Sequence, residues 1–246
     1  MEDLGQDWAY EGWLIVDGAP VSTGIFTMDG ESMASAYDFE VDAEQLAAAE
    51  LFVLTIEPVP DPDPTPSLVH ILAGSFEEDS TELSIAHPAA LGTDFATAEG
   101  STHILGIPSS GMSDDSYTSG TWFDGLNLPE LLAGWVYEGW VVGMDGPVTT
   151  GRFASASGAD SDGAGPTAGP NPGLAIPGQD FLHPAVYLTD GYVVVISVEP
   201  DPDNSPAPFT LKPLVDTNVE DAGDHGAQEL TYCSDSFPTG TASRGM

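Results

Sequence analysis

Residues 8–26, WAYEGWLIVDGAPVSTGIF, return as residues 135–153, WVYEGWVVGMDGPVTTGRF, at a constant offset of 127. Ten of the 19 positions are identical: Trp8/Trp135, Tyr10/Tyr137, Glu11/Glu138, Gly12/Gly139, Trp13/Trp140, Pro20/Pro147, Val21/Val148, Thr23/Thr150, Gly24/Gly151 and Phe26/Phe153. A second block, LTIEPVPDPDPTP at 54–66, returns as ISVEPDPDNSPAP at 196–208, now at offset 142. Pro58, Pro60, Asp61, Pro64 and Pro66 fall on Pro200, Pro202, Asp203, Pro206 and Pro208. The offset grows by 15, so the second copy carries an insertion between the blocks. The chain is a tandem duplication, and its function is to be sought in one module used twice. The copies are 1–127 and 128–246, with Leu126–Gly134 as the junction. The insertion, GADSDGAGPTAGPNPG at 158–173, has the composition of a flexible surface loop.

Strand signals dominate each copy. Tyr10–Val16 is aromatic and β-branched, Asp17-Gly18 supplies a tight turn, and Pro20–Met28 returns as its partner. Ala34–Val41 alternates weakly. Asp42 followed by an alanine-rich run to Glu50 predicts a helical turn or two with Asp42 as its cap. Leu51–Ile56 is an almost unbroken apolar run of strand length, as in a central strand covered on both faces. The Pro/Asp segment 58–66 cannot enter a sheet interior and is read as an extended loop. Further strands are expected at 69–76, 81–86, 103–107 and 121–123. In the second copy the central strand is 193–198, and 229–232 is a last strand before a polar, loose C-terminal tail. The fold class that follows is all-β: two tandem β-sandwich domains with little helix.

Charge narrows the surroundings. Asp and Glu number 40 against three cations, Arg152, Lys212 and Arg244, giving a net charge of −37. Internal ion pairs cannot neutralise that excess, and its self-repulsion opposes compaction at low salt. At molar salt the Debye length is about 3 Å and most of the repulsion vanishes. The composition therefore points to adaptation to high salt. Without a basic patch, nucleic acid is excluded as a direct partner and direct binding to an anionic membrane is disfavoured. With one cysteine, Cys233, an intrachain disulfide is impossible.

Each copy reads Tyr-x-x-Trp, a glycine-containing turn, Gly-x-Phe, then an apolar strand ending in Thr/Ser-[Ile/Val]-Glu-Pro and a proline-rich loop. The residues are Tyr10, Trp13, Gly24, Phe26, Thr55, Ile56, Glu57 and Pro58, with Tyr137, Trp140, Gly151, Phe153, Ser197, Val198, Glu199 and Pro200 as counterparts. The pattern resembles the extracytoplasmic C-terminal domain of anti-sigma-K factors of the RskA type, over roughly the first 70 residues of each copy. It is also similar to acidic secreted or lipid-anchored proteins of halophilic bacteria that carry this repeat. The resemblance implies a β-sandwich in the periplasm or at the cell surface. Residues 1–12 have neither a basic start nor an apolar run, so that location expects a targeting segment outside these residues. A cytoplasmic sigma-binding helical segment and a membrane span are not among these residues, so sigma-factor sequestration does not carry over.

The site candidates are few. Trp8, Tyr10, Glu11 and Trp13, with Trp135, Tyr137, Glu138 and Trp140, form an aromatic and carboxylate cluster that would suit a binding platform; its structural reading, rings filling the core and its rim, is favoured. Asp61, Asp63, Asp160, Asp162, Asp201 and Asp203 lie in loops resembling fragments of calcium loops, though none supplies the full oxygen set. Ca²⁺ is thus the one ion to consider, and no organic cofactor is expected. The five histidines show no metal spacing, no nucleophile elbow occurs, and a catalytic carboxylate pair cannot be nominated from 40 candidates. The expectation is a non-enzyme that binds a protein partner or itself, with a self-assembling cell-surface protein whose contacts depend on salt or Ca²⁺ as the alternative.

The charge makes a direct prediction. Raising NaCl or KCl to about molar should raise the melting temperature by screening. Specific ligation would instead make CaCl₂ far more effective than NaCl at equal ionic strength. A melting temperature indifferent to all three salts would refute both readings.

Overall fold

The computed structural model describes residues 1–105, 120–161, 176–178, 180–181, 191–203, 205–220 and 227–245. Nearly all of the regular structure is β, in two curled antiparallel sheets. The strands are β1 (Trp8–Val16), β2 (Ala19–Phe26), β3 (Leu51–Pro58), β4 (His70–Ser75), β5 (Ser80–Ser84), β6 (Glu99–Leu105), β7 (Gly120–Asn127), β8 (Trp135–Gly143), β9 (Gly146–Phe153), β10 (Asp180–Phe181), β11 (Val193–Pro200), β12 (Leu214–Asp216), β13 (Ala227–Tyr232) and β14 (Thr239–Ser243). One short helix, α1 (Ala43–Ala48), is present among the described residues.

The first sheet has the order β14-β5-β4-β3-β1-β2, and the second β10-β7-β6-β13-β12-β11-β8-β9. The duplication shows in the shared motif β3-β1-β2 and β11-β8-β9. In both, the tyrosine strand lies between the Glu-Pro strand and the edge strand.

Local sequence explains the hairpin. Asp17 and Gly18 both have positive φ, 52° and 79°. That pair of conformations is what a two-residue turn needs to match the twist of its strands. Val16 therefore faces Ala19 and the register is set. The hairpin then absorbs a bulge after Gly12, repeated in the second copy after Glu138. Gly24 and Gly151 follow the bulge at φ 118° and 94°, a region closed to most side chains, which accounts for the repeated glycine. Gly12 is needed for space: a Cβ there would meet the Phe52 ring at 2.8 Å, and Gly139 lies under the ring of Phe123 in the same way.

The central strand β3 is buried from Val53 to Glu57, as its apolar run predicts. A cluster of Trp13, Val53, Ala73 and Ala90 packs beside it, with Ile15, Leu51 and Ala89 against the cluster. Asp42 caps α1, its Oδ1 accepting the N–H groups of Glu44 and Gln45 at 2.9 and 3.1 Å.

Two expectations are corrected. Ala34–Val41 is not a strand; it contributes a single bridge, Met28 to Ala34. The segment is exposed or half-buried and offers no apolar face that pairing would bury. The chain beyond Tyr232 is not a loose tail. Its residues 239–243 form β14, which pairs with β5 over five positions. Arg244 then anchors the end: its guanidinium lies 4.2 Å from the centre of the Phe76 ring and donates to the Ala49 carbonyl.

Sheet membership follows neither half of the chain. The strand after β5 in sequence is β6, which pairs with β13 in the second sheet; the strand after β13 is β14, which pairs with β5 in the first. The compact units are accordingly discontinuous. One comprises 1–94, 132–134 and 237–246; the other comprises 95–131 and 135–236. The repeat division at 127/128 thus marks the duplicated sequence, while the first sheet takes β14 from the second half and the second sheet takes β6 and β7 from the first.

Truncation after Ser236 removes β14 and bares the edge of β5. Amide protection in β5 should fall by about tenfold or more, with β11 and β12 unaffected. Native-state hydrogen exchange checks this, and unchanged protection in β5 would contradict the pairing.

Candidate functional site

The two copies repeat a set of buried polar contacts as well as a fold. Glu11 faces Thr55 across β1 and β3, and Trp13 and Glu57 each lie two residues along, on the same face. The Trp13 indole Nε1–H donates to Thr55 Oγ1 at 2.9 Å, and Thr55 in turn donates to Glu57 Oε1. The same Glu57 oxygen accepts the backbone N–H of Ser67 at 2.8 Å. In the second copy Trp140 donates to Ser197 Oγ at 2.8 Å, Ser197 donates to Glu199 Oε1, and that oxygen accepts the N–H of Phe209 at 2.9 Å. Each chain of bonds ties the tyrosine strand to the far end of the proline-rich loop. The carboxylate is the natural acceptor because it takes two donors on one oxygen.

The surroundings also repeat. Tyr10 donates to the Glu2 carbonyl at 3.0 Å and Tyr137 to the Pro129 carbonyl at 2.6 Å. Their rings stack on Phe26 and Phe153, each at 5.5 Å. Ser22 and Thr149 donate to Oε1 of Glu11 and Glu138. The peptide bonds Val59-Pro60 and Asp201-Pro202 are both cis. The next aspartates, Asp61 and Asp203, each accept on Oδ1 the N–H two residues on, from Asp63 at 2.8 Å and Ser205 at 2.9 Å.

Burial perturbs the central carboxyls. Glu57 is 2 % exposed and Glu199 0 %. Desolvation raises the pKa of Glu57; bonds from Thr55 and Ser67 oppose the rise, and the charges of Asp61 and Glu11 add to it. For Glu199 burial again leads, opposed by Ser197 and Phe209, with Asp203 and Glu138 adding, and the pKa is pushed up to about 7. Glu199 Oε2 is buried without a hydrogen-bond partner among the described residues, so charge there is poorly compensated.

One of the differences between the copies places a cation beside this network. Arg152, on the edge strand β9, lies across from Glu138; its Nε donates to Glu138 Oε2 at 2.8 Å and its Nη2 to Asp203 Oδ2 at 3.1 Å and the Asp203 carbonyl at 3.3 Å. The first copy has Ile25 there, across from Glu11 and 56 % exposed.

The aromatic cluster nominated from sequence is therefore largely interior: Tyr10, Trp13, Trp135, Tyr137 and Trp140 are buried, as are Glu11 and Glu138, and Trp8 is half-buried. Of the calcium-loop candidates, Asp61 and Asp63 shape the first proline-rich loop, and Asp63 Oδ1 accepts from the N–H and hydroxyl of Thr65. Asp203 holds Arg152, Asp201 is exposed, and Asp160 Oδ2 accepts the Gly178 N–H at 2.6 Å. Asp162 lies outside the described residues, as does most of the insertion. Among the described residues no three His, Cys, Asp or Glu side chains converge closely enough to hold a metal ion. An open groove of about 360 Å³ in the second unit is lined by Glu99, Ser101, Asp124, Glu229 and neighbouring backbone. His70 and His87 bond locally, to the Ala89 carbonyl and to the Ala89 N–H and Ser75.

Sequence reasoning did not single out Glu57, Glu199 or Arg152 as a site. The signal was present in the alignment of the copies, where an arginine in one stands against an isoleucine in the other beside identical glutamates. No protein-family model, curated protein or solved structure matches the chain.

Glu199 gives a pH prediction. Its folded pKa lies above the ordinary 4.5, at about 7. Below about pH 4.5 both folded and unfolded chains hold the proton and its contribution is complete. Between 4.5 and 7 the unfolded chain releases the proton while the folded chain keeps it, so stability falls as pH rises, by about 3 kcal/mol in all. In molar NaCl, thermal melts of Glu199→Gln from pH 4.5 to 7.5 should show a shallower decline than the parent. Equal slopes would contradict the assignment.

Proposed function

We propose that this chain is a non-catalytic, extracytoplasmic interaction protein, adapted to high salt and built from two modules like the anti-sigma-K C-terminal domain. The observation that carries the reading is the contrast between the copies. They keep the bonds that run from tryptophan through Thr or Ser to glutamate and the loop N–H, and differ on the edge strand at position 25/152, where Ile25 is exposed and Arg152 is half-buried in an ion pair. Duplication followed by change at the rim suits a scaffold that presents two related but distinct surfaces to partners.

The state of the perturbed carboxylates supports the absence of catalysis. Glu57 and Glu199 are buried and committed to Thr55 or Ser197 and to a loop N–H. A general acid needs reach to substrate as well as a raised pKa. The location rests on the resemblance and on the acidic surface.

The test has two arms. Protease added to intact cells of the source organism should cleave the native protein, and a screen against polysaccharide and ester substrates should show no turnover. Protection until lysis would overturn the location; turnover that tracks the purified protein would overturn the non-catalytic reading.

A further inference from the structure

The first copy holds the acidic half of an ion pair whose basic half is missing. In the second copy, Glu138 and Asp203 together hold one guanidinium, at its Nε and Nη2. Their equivalents, Glu11 and Asp61, have the same supports. Ser22 occupies Oε1 of Glu11 as Thr149 occupies Oε1 of Glu138, and Asp63 N–H occupies Oδ1 of Asp61 as Ser205 N–H occupies Oδ1 of Asp203. The oxygens that hold Arg152 are Glu138 Oε2 and Asp203 Oδ2. Their counterparts, Glu11 Oε2 and Asp61 Oδ2, meet no donor among the described residues. Glu11 is 7 % exposed, so its free oxygen belongs to a nearly buried carboxylate. Such a group lacks full hydration and gains more from a partner than a surface carboxylate does.

We propose that Glu11 and Asp61 form a socket for a guanidinium group, filled in trans by an arginine of a partner protein, as Arg152 fills the equivalent socket in cis. Three features decide for this ligand. In the copy where the site is filled its two carboxylate oxygens take the neighbouring Nε and Nη2 of one guanidinium, and among the described residues no three ligating side chains converge as a metal would require. Access is over Ile25, which is 56 % exposed on β2, and β2 is the outer strand of its sheet. Neither arginine of this chain is available to serve a second copy: Arg152 is held by Glu138 and Asp203, and Arg244 by Ala49 and Phe76. The arginine is thus supplied from outside these 246 residues, by a partner protein. A guanidinium is less strongly hydrated than an ammonium and bonds two carboxylates at once, so the socket selects arginine over lysine in a high-salt medium.

The inference rests on the interaction-protein reading and names the chemistry of the partner. It is tested by titrating the full chain with Nα-acetyl-arginine amide and Nα-acetyl-lysine amide at matched ionic strength, following the side-chain carboxyl carbon resonances of Glu11 and Asp61 by NMR. The expected result is saturable binding of the arginine probe at these two residues, at least about fivefold tighter than the lysine probe. Ile25→Arg should fill the socket in cis, abolish probe binding and raise the melting temperature; Asp61→Asn should weaken binding while the chain stays folded. Equal binding of the two probes, binding that survives Ile25→Arg, or a melting temperature lowered by Ile25→Arg would overturn the proposal. Displacement of the probe by micromolar Ca²⁺ would also overturn it, by making this a metal site. None of these outcomes bears on cellular location or turnover, so failure here is distinct from failure of the broader reading.

Discussion

A buried carboxylate in each copy, Glu57 or Glu199, is the contact on which the rest of the module depends. A carboxylate in the interior is costly unless donors surround it. Here the donors are a hydroxyl bonded to a tryptophan and an N–H from the end of the proline-rich loop. The loop cannot join a ladder, because its prolines lack N–H groups, so the carboxylate takes the place of sheet bonding as its tether. The tryptophan ring is fixed by the same oxygen network and closes the core over Val53 and Ala73 in the first unit. This links the identical letters of the two copies: tryptophan, Thr/Ser, glutamate and the prolines are parts of one device. A side chain that cannot accept two donors at position 57 or 199 would leave both a hydroxyl and a backbone N–H without partners, at about 1–3 kcal/mol each.

The parts of the fold legible in the sequence were those decided by neighbours in the chain. Asp17-Gly18 set the hairpin, Asp42 capped its helix, and the apolar run at Leu51–Ile56 marked the central strand. The parts that were not legible depend on distant pairing. β14 is polar and half-exposed, so nothing in TGTAS announces a strand; it exists because β5 offers an open edge and Arg244 is held beyond it. The placing of β6 and β7 in the second sheet and of β14 in the first has no local signature at all. The weak alternation of Ala34–Val41 came without an apolar face, and the segment makes only one bridge.

The candidate site followed the same rule. Trp13 and Trp140 were expected inside and are inside. Glu57 and Glu199 were read only as letters of the repeated motif. Only the cross-strand geometry shows that each points back under its own loop. The Ile25/Arg152 difference was visible in the aligned copies, but its meaning needed the register that sets those residues opposite Glu11 and Glu138.

The most direct measurement is hydrogen exchange of the indole N–H protons, resolved by NMR for each tryptophan. If the relay from tryptophan through Thr55 or Ser197 to the buried glutamate holds each module together, Trp13 and Trp140 will exchange only through global opening of their units, with protection equal to that of the most stable β3 and β11 amides. Exchange of either indole far faster than those amides, at the rate of the half-buried Trp8, would contradict the account.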